Sequence, residues 1–120
     1  MALQVAVEER GEGAFVVAPR GSVDSTTYTV LDERIGRVTA SGPRMVILDM
    51  RDVDYISSAG VGVIFKARKA VADAGGTLYM AHLRPNVAKV FRIISALPDE
   101  QVFESIEELD RYLDRIQRNP

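Results

Sequence analysis

The residues best suited to chemistry in this chain are two adjacent hydroxyls, Ser57 and Ser58, followed by the small stretch Ala59-Gly60-Val61-Gly62. A serine where a strand runs into a helix has three uses. It can cap the helix by accepting an orphan N–H, an interaction worth about 1 kcal/mol. It can carry a phosphate, which the partial positive charge of a helix N-terminus tolerates well. It can also act as a nucleophile, and Ser58, His82 and an aspartate can be drawn as a triad. The G-x-S-x-G elbow that would expose such a nucleophile is absent, so no enzyme is expected. Spacing alone leaves capping and switching both open.

Other chemistries are poorly provided for. The chain has no cysteine and one histidine, which removes thiolate nucleophiles, Cys-based zinc sites and His clusters. Asp49, Asp52 and Asp54 look like a metal cluster on paper, but alternation along a strand separates them. Gly60-x-Gly62 is no dinucleotide fingerprint, because Phe65 stands where the third glycine belongs. No Walker A lysine motif is present. Neither a metal nor a cofactor is expected.

The 120 residues suit one domain, 1–120, with 47% hydrophobic and 27% charged residues. Fifteen Lys and Arg against 17 Asp and Glu leave a net charge of -2, so no overall drive toward nucleic acid or anionic lipid exists. No signal peptide and no membrane-length apolar run is visible. A cytoplasmic location without membrane insertion is the expectation. Lys66, Arg68 and Lys69, and also Arg84, Lys89 and Arg92, read as solvated helix faces with some rimming a protein-binding patch.

These residues need a scaffold. Leu3, Val5 and Val7 alternate with polar neighbours, and Gly11-Glu12-Gly13 turns the chain into a second strand, Phe15 to Ala18. Val30, Leu31, Ile35 and Val38 predict a helix that Asp24, Ser25 or Thr26 caps and Ser41-Gly42-Pro43 ends. Met45 to Met50 is an apolar run that predicts a central strand buried on both faces. The serines open a second helix, with Val61, Ile64, Phe65, Arg68 and Val71 along one side and Gly75-Gly76 as its stop. Thr77 to Ala81 follows as a strand, and Pro85 begins a third helix with Val87, Val90, Phe91 and Ile94 as its stripe. Val102-Phe103 reads as a short edge strand. Ser105 and Glu108 form a capping box for a last helix holding Ile106, Leu109, Leu113 and Ile116. The order β-β-α-β-α-β-α-β-α predicts an α/β fold with one mixed sheet of four to five strands.

From Val53 to Val63 the chain resembles the STAS domain of bacterial anti-anti-sigma factors, also called anti-sigma factor antagonists, in which a short strand reaches an Asp-Ser-Ser/Thr-Gly-Leu-Gly-type turn. The resemblance extends further. Arg20-Gly21-Ser22-Val23-Asp24 is similar to the family's Gly-Glu-Leu-Asp turn, and Val46-Ile47-Leu48-Asp49-Met50 to its central strand. Leu83-Arg84-Pro85-Asn86-Val87 with Val90-Phe91 is similar to its Pro-x-Val-x-x-Leu/Val-Phe stretch.

Carried over by position, the resemblance implies that Ser58 is the phosphoacceptor. The family's preceding aspartate falls on Ser57, which becomes a competing acceptor, and Ala59 replaces the usual second hydroxyl. Asp24 matches the family's acidic residue near the phosphorylation loop. The implied partner surface is Asp24, Ser57, Ser58, Ala59, Gly60, Val61 and Gly62.

The implied mechanism is partner switching by a monomer. The unmodified form binds an anti-sigma factor that is itself a GHKL-type serine kinase, and the sigma factor is released. Phosphorylation reverses this, and a PP2C-type phosphatase restores the binding form. The alternative is a STAS regulatory subunit of a membrane transporter or lipid-transport complex, which needs no phosphorylation.

Overall fold

The computed structural model describes residues 3–96 together with 111, 114, 115, 117 and 118. Strands β1 (Gln4–Glu9) and β2 (Ala14–Val23) form the antiparallel hairpin that the glycine turn predicts. Gly11 and Gly13 both take positive φ there, a conformation that costs glycine little. The chain continues through α1 (Tyr28–Ala40), β3 (Met45–Asp49), β4 (Asp52–Ile56), α2 (Ser58–Asp73), β5 (Thr77–Ala81) and α3 (Pro85–Ala96).

The five strands make one mixed sheet in the order β1-β2-β3-β5, with β4 paired to β2. Strand β2 is long enough to serve two parallel partners in succession. Ala14 to Val17 pairs with β3, and Arg20 to Val23 pairs with β4. Pro19 falls in the interval between these two ladders, where its missing N–H deprives neither parallel partner. Beyond it the register slips between Gly21 and Ser22. The extra residue is Asp54 on β4, and such a bulge bends the strand that carries it and re-aims the residues beyond it, here the approach to the serine turn.

One core holds the helices to the sheet. Leu31, Ile35 and Val38 of α1, Val61, Ile64 and Val71 of α2, and Val87 and Val90 of α3 join Val17, Val46, Leu48 and Ile56 in a single cluster. At its rim Phe65 and Phe91 meet edge to face, with ring centroids 6.2 Å apart. Lys66 reaches Asp32 at 3.2 Å across the α1–α2 seam.

Three expectations need correcting. Val30 and Phe65 are each 39% exposed, so the apolar stripes of α1 and α2 are narrower than their sequences suggest, and Arg68 is exposed as well. Val63 and Ala67 take the inward positions instead. Strand β3 is completely buried only at Val46 and Leu48, while Met45, Ile47 and Asp49 on the opposite face are half-buried. Next to Ile47 in the ladder stands Tyr79, 54% exposed, so that face of the sheet is partly open.

Strand β4 is absent from the pattern-based element order, although the resemblance implies a short strand ahead of the serines. The expected edge strand at Val102-Phe103 and the capping box of Ser105 and Glu108 lie outside the described residues. Of the expected last helix, residues 111, 114, 115, 117 and 118 are helical.

Candidate functional site

The serine turn is built by the meeting of β4 with α2. The Ser57 N–H donates to the Val23 carbonyl at 2.8 Å, extending the β2–β4 ladder by one bond. Ser57 is then the N-cap of α2, with extended backbone at φ -91° and ψ 175°. Its hydroxyl accepts the Gly60 N–H at 3.4 Å, and the residue is 3% exposed. Ser58 follows as the first residue of α2 and is half-buried. Of the two serines, Ser57 therefore takes the capping role.

Gly60 has a packing reason. A Cβ there would lie 2.7 Å from Val23 Cγ1 and 2.8 Å from Ile56 Cγ1, so glycine lets α2 close on β2 and β4. Val61 points into the core at 4% exposure. Gly62 is different: it is exposed, and a Cβ would meet nothing within 4 Å. Of the predicted partner surface, the structure therefore leaves Asp24, Ser58, Ala59 and Gly62 at least partly accessible and turns Ser57, Gly60 and Val61 inward.

Asp24 organises the turn between β2 and α1. Its Oδ1 accepts the Thr26 N–H at 2.8 Å, the Thr26 hydroxyl at 2.7 Å and the Thr27 N–H at 3.1 Å. The Thr26 hydroxyl bond contributes most to holding the carboxyl below its ordinary pKa, the backbone donors add to it, and partial burial works against them. Thr27 is the N-cap of α1, but its hydroxyl donates to the Ser22 carbonyl at 2.7 Å and accepts the Asp24 N–H at 3.0 Å. Asp24 thus closes the turn ahead of α1 rather than capping α1 itself.

Asp24 also lines an open groove of about 460 Å³ between the β2–α1 turn, β4, the start of α3 and the C-terminal helical residues. Asp54, Asn86, Asp114 and Arg118 lie along it. Ser58 is not among its lining residues, so the groove adjoins the serine turn without containing it.

The other aspartates are dispersed. Asp49 accepts the Arg51 N–H at 3.1 Å, Asp52 faces Arg20 at 3.5 Å, and Asp54 accepts the Ser22 hydroxyl at 2.7 Å. Among the described residues no three His, Cys, Asp or Glu side chains are grouped to hold a metal ion. His82 sits after β5 with φ 58° and its Nε2 3.2 Å from Arg51 Nη2.

Two buried or half-buried amides carry structural roles that the sequence does not signal. Asn86 Nδ2 donates to the Asp54 carbonyl at 2.8 Å, and Gln117 bonds both backbone groups of Ile56. Gln117 stands between Ile116 and Arg118 in a charged amphipathic stretch, where a polar residue reads as solvated.

The sequence model of the STAS domain matches residues 4–109. This chain belongs to the STAS domain family. The STAS domain here is 33% identical over 82 residues to BtrV of Bordetella bronchiseptica, which carries the name of an anti-sigma factor antagonist; the match covers 68% of this chain and 71% of BtrV. It is 28% identical over 96 residues to the anti-sigma-F factor antagonist RsfB of Mycobacterium tuberculosis, covering 72% of this chain and 78% of RsfB. The fold also matches the phosphorylated form of the Bacillus cell fate determinant SpoIIAA, with a TM-score of 0.65 and 19% identity over 94% of this STAS domain and 99% of SpoIIAA. Among the described residues no helix is long and apolar enough to cross a membrane.

Proposed function

We propose that this STAS domain is an anti-sigma factor antagonist whose partner choice is set by phosphorylation of Ser58. The names of BtrV and RsfB favour this reading over a transporter subunit. The observation that carries it is the contrast between the two serines: Ser57 is 3% exposed and committed to its cap, whereas Ser58 is half-buried at the first position of α2. A kinase reaches Ser58 without dismantling the cap.

A phosphate at the start of α2 suits the fold, because helix N-termini carry partial positive charge and orphan N–H groups. Its effect falls on docking. It adds about -1.5 to -2 charges near neutral pH to a surface otherwise made of Ala59 and Gly62. Asp24, held ionised by its hydrogen bonds, adds negative charge on the neighbouring turn. A partner presenting acidic or apolar groups there is repelled or left desolvated. The partner is an anti-sigma factor that is also a GHKL-type serine kinase, and a PP2C-type phosphatase reverses the modification.

The test is phosphate mapping by mass spectrometry after incubation with such a kinase and ATP. Phosphate on Ser58, abolished in Ser58→Ala and retained in Ser57→Ala, is the expected result. Phosphate confined to residues of the C-terminal segment would remove Ser58 from the mechanism.

A further inference from the structure

Among the described residues, strand β4 pairs only with β2 in the sheet, through Asp52 to Ile56. Asp54 has no partner in the β2–β4 register, and its carbonyl, together with both backbone polar groups of Ile56, is turned away from β2. Left unpaired in a buried setting, such groups are costly. Side-chain amides take them instead. Asn86 serves the Asp54 carbonyl, while Gln117 Oε1 accepts the Ile56 N–H at 3.0 Å and Gln117 Nε2 donates to the Ile56 carbonyl at 2.8 Å. A carboxamide has the same donor and acceptor groups as a peptide unit, so Gln117 stands in for a neighbouring strand at Ile56. It is 6% exposed and lies 61 residues away in sequence.

Ile56 is joined directly to Ser57. Gln117 grips Ile56 from one side, and the Val23 carbonyl holds the Ser57 N–H from the other. We propose that Gln117 is a positioning residue for the Ser58 site, and that the C-terminal helical segment is a latch whose release loosens the Ser57-Ser58 turn. The same segment contributes Asp114 and Arg118 to the groove beside Asp24, so a partner entering that groove touches the latch. This inference rests on the reading of Ser58 as the switch, but its test needs neither a kinase nor an anti-sigma factor.

The test is NMR hydrogen exchange on the full chain. Ile56 reports the latch, and the Ser57 and Val61 N–H groups, bonded to the Val23 and Ser57 carbonyls, report the turn. Val17 and Leu48 report global opening. Gln117→Met keeps the length and removes both bonds. Protection at Ile56, Ser57 and Val61 is expected to fall tenfold or more, with Val17 and Leu48 unchanged.

Gln117→Glu supplies the rescue. Its protonated carboxyl can accept from the Ile56 N–H and donate to the Ile56 carbonyl, and its ionised form cannot donate. Protection relative to the native chain at the same pH is therefore expected to return as that carboxyl protonates. The groups around it that also titrate or carry charge are Asp24, Asp54, Tyr55, Asp114 and Arg118. They are common to both proteins. Loss at Ile56 without loss at Ser57 and Val61, a uniform loss that includes Val17 and Leu48, or no return in acid would each overturn the proposal.

Discussion

Ser57 and Gly60 are joined by a bond from the Gly60 N–H to the Ser57 hydroxyl at 3.4 Å, and both residues are buried. That bond commits the first serine of the pair to capping the helix, while the second, Ser58, is the first helical residue and is half-buried. Gly60 in turn is small because Val23 and Ile56 occupy the space a methyl group would need. The local architecture of the serine turn is therefore a packing solution in which one serine is buried as the cap and its neighbour is half-buried.

Ser57→Ala removes the cap and no core volume. An N-cap of this kind is worth about 1 kcal/mol. Urea denaturation is expected to show a loss of that order with an unchanged slope, while phosphate uptake at Ser58 persists.

The two glycines of α2 are expected to respond in opposite directions. Gly60→Ala forces contacts of 2.7 and 2.8 Å on Val23 and Ile56. Overpacking of this kind costs about 1–3 kcal/mol. Gly62→Ala meets nothing and gains helix propensity, roughly 1 kcal/mol in the stabilising direction. Denaturation of the two variants measures the signs. If the Ser58 face docks the partner, Gly62→Ala also weakens binding despite its added stability, and unchanged affinity would place Gly62 outside that face.

Asp24 predicts a pH dependence. Its hydrogen bonds to Thr26 and Thr27 lower its pKa in the folded state, so the folded protein holds the proton less tightly than the unfolded chain does. The resulting stabilisation is complete above the unfolded carboxylate pKa and is lost as pH falls through the folded one. Asp24→Asn is expected to be less stable than the native chain near neutral pH, with the gap narrowing below the ordinary carboxylate range. A gap constant down to the most acid pH at which both proteins fold would show that the charge plays no part.

Much of the fold is legible in the residues. Gly11 and Gly13, the apolar periodicities of α1 and α3, Pro85 and the Gly75-Gly76 stop all act locally, and the elements they predict are present. Strand β4 escapes the pattern because Asp52-Val53-Asp54-Tyr55-Ile56 carries two aspartates, which are disfavoured in strands, and it is a strand through its pairing with β2. The exposure of Val30 and Phe65 depends on how wide a stripe each helix buries, which periodicity does not measure. Ser57 and Ser58 look alike in sequence, and the burial of Ser57 as the cap comes from the bond to Gly60 and the closure of α2 on Val23. Gln117 has no local signal at all, since its role is set by the backbone of a strand 61 residues earlier.

The central claim is tested most directly by the affinity of the anti-sigma factor for this domain before and after stoichiometric phosphorylation of Ser58. A loss of about 3 kcal/mol on phosphorylation corresponds to more than a hundredfold weaker binding. That weakening, with the fold unchanged by circular dichroism, is the predicted result; equal affinity for the two forms would contradict the account.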